Sequence, residues 1–87
     1  MIDTHCHILP ASFRDRRVEL ARRDGTFAAL LSDSGAAIAT AEDLLEVMDR
    51  CGIDRAVVMG MGWTDLDIAT EVNDYIIRAV SDNPSRL

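Results

Sequence analysis

His5 and His7 are the only histidines in the 87 residues. Asp3 precedes them by the same step of two, giving Asp3-Thr4-His5-Cys6-His7. Two histidines placed at random would fall two apart roughly one time in forty, so composition alone does not explain the pattern. On a β-strand, residues 3, 5 and 7 share one face. Both imidazoles then point the same way, with a carboxylate behind them. Two neutral imidazole nitrogens converging on one point make half of a tetrahedral zinc site. The competing reading is a pair of surface or core histidines at a strand end. The spacing favours a divalent metal, zinc first, with His5 and His7 as ligands. Asp3 is read as a supporting carboxylate that orients an imidazole, or else as a hydrogen-bond partner lower on the strand.

The rest of the chain must place that strand. Met1 to His7 reads as strand one, ended by Ile8, Leu9 and Pro10. A helical stretch over residues 12–23 follows, with Phe13, Val18, Leu20 and Ala21 on its apolar side and Gly25 as its stop. Phe27 to Leu31 reads as one or two helical turns, Asp33-Ser34-Gly35 as a turn, and Ala36 to Ala39 as extended chain. Thr40 is a good N-cap, with Glu42 and Asp43 in the first turn where the helix dipole favours acids. Leu44, Leu45, Met48 and Cys51 recur at helical spacing, and Gly52 with Ile53 makes a Schellman-type stop. Ala56-Val57-Val58-Met59 is apolar on both faces, as in a parallel strand covered on both sides. After the Gly60–Trp63 loop, Thr64 caps a helix over 65–81 whose stripe is Ile68, Val72, Tyr75, Ile76, Ala79 and Val80. Asn83-Pro84 ends it. The order strand, helical excursion, helix, strand, helix gives an α/β class with a right-handed βαβ unit of parallel strands.

Composition narrows the function. Hydrophobic residues make up 48%, which argues for a folded chain. The net charge of −6 disfavours a nucleic-acid or anionic-membrane binder. The longest apolar run, Ala56 to Trp63, is too short to span a bilayer, and the start lacks the basic and apolar regions of a signal peptide. A cytoplasmic protein acting on a small molecule is expected, and Cys6 and Cys51 are expected to be free thiols. Oligomeric state is not readable. One pair of parallel strands has two open edges and little core, so residues 1–87 read as the opening of a domain.

The start Ile2-Asp3-Thr4-His5-Cys6-His7-Ile8-Leu9-Pro10 resembles the opening of metal-dependent hydrolases of the amidohydrolase superfamily. Within it the chain looks most like the branch that includes aminocarboxymuconate-semialdehyde decarboxylase. Glu46-Val47-Met48-Asp49-Arg50-Cys51-Gly52-Ile53, the apolar strand Arg55 to Gly60, Asn73-Asp74-Tyr75 and the closing Asn83-Pro84-Ser85-Arg86-Leu87 carry the rest of the likeness. The resemblance implies the N-terminal β-α-β-α portion of a (β/α)8 TIM-type barrel, about a third of the usual length, with a divalent metal at its C-terminal mouth. It makes His5 and His7 the first-strand ligands. It places the remaining ligands and the catalytic residues beyond residue 87, so that these residues alone are inactive. The implied activity is hydrolysis of a small organic substrate through a metal-bound water, or decarboxylation on the same metal. The decarboxylase holds a substrate carboxylate with an arginine in the excursion after strand one, and no arginine occurs here between Arg23 and Arg50. The rivals are a phosphoesterase or nuclease barrel that also opens with D-x-H-x-H, and a non-catalytic domain or inactive fragment.

Two further groups bear on a site. Trp63 and Met61 follow strand two at the end where barrel active sites are built, and are candidates for a substrate-pocket wall or for packing. Arg14, Arg16, Arg17, Arg22 and Arg23 outweigh Asp15 and Glu19, and are read first as a solvated helix face and second as a meeting place for an anionic substrate.

Overall fold

The computed structural model describes residues 1–33 and 35–87. Strand β1 is Ile2–Cys6, and a 3-10 turn spans Ala11–Arg14. Helices α1 (Arg17–Arg23), α2 (Gly25–Leu31) and α3 (Ala41–Cys51) follow, then strand β2 (Arg55–Val58) and helix α4 (Leu66–Asp82). The fold is α/β, and β1 and β2 pair in parallel as the sequence order requires. Ser34, the centre of the expected Asp33–Gly35 turn, lies outside the described residues. Among the described residues no helix is long and apolar enough to cross a membrane.

Local chemistry accounts for the element ends. Thr40 and Asp43 form a reciprocal capping box: Asp43 N–H donates to Thr40 Oγ1 (3.2 Å) and Thr40 N–H donates to Asp43 Oδ2 (3.0 Å). Gly52 closes α3 at φ 70°, the left-handed region that glycine occupies without a Cβ clash. The cap of α4 is Asp65 rather than Thr64: Ile68 N–H donates to Asp65 Oδ1 at 3.0 Å. Thr64 instead accepts from Gly25 N–H at 3.0 Å. Gly25 does not merely end a helix. It opens α2, and Asp24 is at once the C-cap of α1 and the N-cap of α2.

The interior has two centres. Ala56, Val58, Cys6 and Ile8 meet Ala41, Met48 and Ala79, so α3 and α4 cover the same face of the strand pair. Phe13, Leu20, Phe27 and Leu31 of the excursion meet Leu9, Ile38, Ile68 and Val72 in the second centre. Helix α4 serves both, Ile68 and Val72 facing one and Ala79 the other. β2 is covered on one face only: Ala56 is buried while Val57 is 48% exposed. On the edge of β2 away from β1, Ala56 N–H donates to Arg86 O at 2.8 Å.

Three expectations change. Cys51, read as part of the buried stripe, is exposed at the helix end, and both cysteines are free. Val18, read as apolar-side, is 67% exposed. The arginines of the excursion are not simply solvated. Arg17 donates to the carbonyls of Leu31 (2.8 Å), the last residue of α2, and of Asp33 (3.1 Å) and Ala36 (2.7 Å) in the chain that follows. Arg14 bonds Ile38 O and Asp43, and Arg16 bonds Glu19 and Glu71.

Two substitutions check this assignment. Met48→Asp places an unpaired charge at a fully buried position, expected to cost about 3–5 kcal/mol. Arg17→Asp removes the side-chain donor from Leu31 O and Ala36 O, leaves Asp33 O with Ala36 N–H alone, and puts a negative charge beside them, expected to cost about 1–3 kcal/mol. Val18→Asp should stay within about 0.5 kcal/mol of the native chain. Urea denaturation would measure all three, and equal losses at positions 17 and 18 would refute the role given to Arg17.

Candidate metal centre

The site begins with an irregularity in the strand pair. Ile2 aligns with Arg55 and Asp3 with Ala56, but Cys6 aligns with Val58. Three steps along β1 therefore match two along β2, which is one extra residue, a bulge. Aligned residues share a face, so Asp3 and Cys6 both fall on the helix-covered side with Ala56 and Val58. The simple alternation of 3, 5 and 7 does not survive.

His5 is exposed and His7 half-buried. Their Nε2 atoms lie 3.0 Å apart, with the rings nearly perpendicular at 84° and centroids 4.8 Å apart. Two nitrogens each at the usual zinc distance and at the tetrahedral angle are separated by about 3.3 Å. The separation is therefore within a few tenths of an ångström of a two-ligand arrangement, and without an ion the two Nε2 atoms are hydrogen-bonded to each other. The other ring nitrogen of His7, Nδ1, lies 3.0 Å from Met59 O at the end of β2. The donor types fit a zinc-like ion, and they supply two ligands. Among the described residues no cluster of three or more His, Cys, Asp or Glu side chains is poised to hold a metal.

Asp3 acts on this pair through the backbone. Its Oδ1 accepts His5 N–H at 3.1 Å, which steadies the bulged segment rather than an imidazole. Asp3 also adjoins the Cys6 thiol. Burial first, then the hydrogen bond and negative charge of Asp3, push that thiol above its usual pKa. Both influences favour the neutral thiol over the thiolate.

Trp63 packs against the second core, its ring centroid 6.4 Å from that of Phe27. Its Nε1 is buried and has no hydrogen-bond partner among the described residues. Met61 is half-buried in the same loop, where its carbonyl accepts Trp63 N–H at 2.9 Å. His5, His7 and Met59 come together; Trp63 sits with the excursion.

Sequence reading missed the residue that fixes the Trp63 loop. Asp24 is 1% exposed, and no cation pairs with it among the described residues. Its Oδ1 accepts Phe27 N–H at 3.0 Å, and its Oδ2 accepts both Thr64 and Asp65 N–H at 2.8 Å. Burial, the largest influence, pushes its pKa up. Backbone donors of Asp65, Phe27, Thr64 and Thr26 outweigh it, and the carboxyl titrates below the ordinary aspartate range. The available signal was Asp24 before Gly25-Thr26-Phe27, an N-cap pattern.

Comparison with family models, with curated proteins and with solved structures finds no match.

Asp24 yields a prediction with a definite sign. A lowered folded-state pKa means that its contribution is complete above the unfolded value of about 3.9 and is lost as pH falls through the folded value. Asp24→Asn turns one carboxylate oxygen into a donor facing other donors, at a cost of about 2–4 kcal/mol near neutral pH. In urea titrations the gap between native chain and variant should hold at neutral pH and narrow below about pH 4. A gap that widens in acid would contradict the role assigned to the ionised group.

Proposed function

We propose that this chain is the N-terminal β-α-β-α part of a (β/α)8 barrel of the amidohydrolase type, and that His5 and His7 are two of the ligands of a divalent metal, zinc first. The convergence of the two Nε2 atoms to 3.0 Å at one end of a parallel strand pair carries this reading. The parallel order supports it, as does the position of the pair at the C-terminal end of β1, His5 just before its last residue and His7 just after it, the end at which α/β barrels build their sites. So does the uncovered face of the sheet. Ile2 is 61% and Val57 48% exposed, an apolar surface of the kind a closed barrel fills with side chains from further strands.

A bound metal would supply Lewis-acid polarisation and a nucleophile at neutral pH. The chain's own residues have distinct tasks. His5 and His7 would hold the ion through Nε2. Asp3 fixes the backbone of His5 through its N–H. Ile8 and Leu9, 1% and 4% exposed, anchor the chain directly after His7. Asp24 holds the loop of Met61 and Trp63, which would border a small organic substrate. The proposed reaction is hydrolysis of such a substrate, with decarboxylation of an unsaturated acid as the variant on the same centre.

Two imidazoles make half of a tetrahedral set, and catalytic zinc sites use three protein ligands with one open position. Residues 1–87 are expected to bind zinc weakly and to show no turnover. Calorimetric titration with zinc should give one weak site, and His5→Ala or His7→Ala should each weaken it at least ten-fold, about 1.4 kcal/mol. Undiminished zinc binding by the double variant would remove the central claim. Hydrolytic turnover by these 87 residues alone would show that the barrel reading is mistaken.

A further inference from the structure

We infer that Met59 is a positioning residue, whose backbone carbonyl at the end of β2 fixes the tautomer of His7 and so commits its Nε2 to the ligand side. The inference rests on the metal reading for its purpose, though not for its geometry.

The argument starts from the hydrogen-bond ladder. In a parallel pair, a residue that donates its N–H to one residue of the neighbouring strand receives on its carbonyl the N–H of the residue two further on. Met59 N–H donates to Cys6 O at 3.0 Å. The regular next rung would run from Ile8 N–H to Met59 O. The His7 imidazole stands at that oxygen instead, its Nδ1 3.0 Å away. A carbonyl oxygen only accepts, so His7 Nδ1 is the donor and carries the proton. In the neutral ring the Nε2 lone pair is then free, and it points at His5 Nε2. Metal-binding histidines commonly donate their second ring nitrogen to a carbonyl or carboxylate, which fixes ring orientation. Here the partner is the main chain of the adjacent strand. The side chain of His7 completes the sheet, and the sheet completes the ligand. No carboxylate is needed for this, which accords with Asp3 being turned to the His5 backbone. His5 has no such anchor among the hydrogen bonds of the described residues. In the metal-free chain it donates its Nε2–H to His7, and it is the ring that must change tautomer to bind.

The test is the nitrogen chemistry of His7 in the metal-free protein. Long-range proton–nitrogen correlation on the ¹⁵N-labelled chain distinguishes the tautomers. The expected result is a protonated Nδ1 and an unprotonated Nε2 on His7. An Nε2–H tautomer, or rapid exchange between the two, overturns the positioning role whatever zinc does. Zinc chloride is then added to the same sample. The His7 Nε2 resonance should move while Nδ1 stays protonated. A spectrum unmoved by zinc, with Nδ1–H in place, overturns the metal reading and leaves the positioning supported. Two variants separate the rung from the ligand. His7→Asn keeps an N–H donor near the Nδ1 position, and His7→Leu has methyl groups there. Both should lose zinc binding, but the asparagine variant should melt with the native chain and the leucine variant earlier. Equal melting of the two would overturn the claim that the side chain completes the ladder.

Discussion

A single buried carboxylate holds the excursion to the rest of the molecule. Asp24 ends one short helix, starts the next and receives two amides from the loop after β2. Burying an ionised group is costly unless its lone pairs are met. Here the donors are backbone amides, which cannot rotate away as a lysine or arginine side chain can. The lowered pKa records that these donors outweigh burial. Two helices of seven residues each would be marginal by themselves. Tied at their junction to residues forty positions away, they gain a fixed place over the first half of α4.

The two cores meet at the histidines. Ile8 enters the core beneath the sheet and Leu9, the next residue, enters the core of the excursion. Leu9 N–H also donates to Ala39 O at 2.9 Å, just before α3 begins. The chain leaving His7 is therefore gripped on both sides within two residues. His7 is set by that grip and by Met59, while His5, exposed and preceding the bulge's end, is held mainly by Asp3 at its backbone. The two prospective ligands differ in how they are held, and His7 is the one tied by its side chain to the chain that continues β2.

Much of this was legible in the sequence where the cause is local. The Thr40 cap, the Gly52 stop, the stripe of α4 and, apart from Cys51, that of α3 depend on neighbours a few residues apart, and the ends of both helices fall within about two residues of expectation. The parallel pairing followed from the order of elements. What escaped depends on distant partners. Arg17 reads as a surface charge until Leu31, Asp33 and Ala36 are brought to it. Asp24 looks like an ordinary cap until the Thr64 and Asp65 amides arrive. The convergence of His5 and His7 was readable from their spacing, but the reason for it was not, because a bulge is a relation between two strands.

That bulge decides which residues face the helices. With regular pairing from Asp3 and Ala56 onward, His5 would align with Val58 and His7 with Gly60. Both imidazoles would then lie on the covered face, and Cys6 would point away from it. A slip of one residue exchanges the two faces of a strand. The extra residue makes that exchange within β1, between Asp3 and Cys6. Cys6 and Ile8 go under the helices, where apolar packing stabilises them, and His7 goes to the open side with Met59. Asp3, on the near side of the bulge, keeps the covered face and uses its carboxylate to satisfy the His5 amide within the irregular segment. Bulges are enriched beside active sites because they re-aim side chains in this way. The D-x-H-x-H spacing thus does not act through a uniform strand face. Asp3 stands before the irregularity, His5 within it and His7 after it, and in that arrangement the two Nε2 atoms come to 3.0 Å.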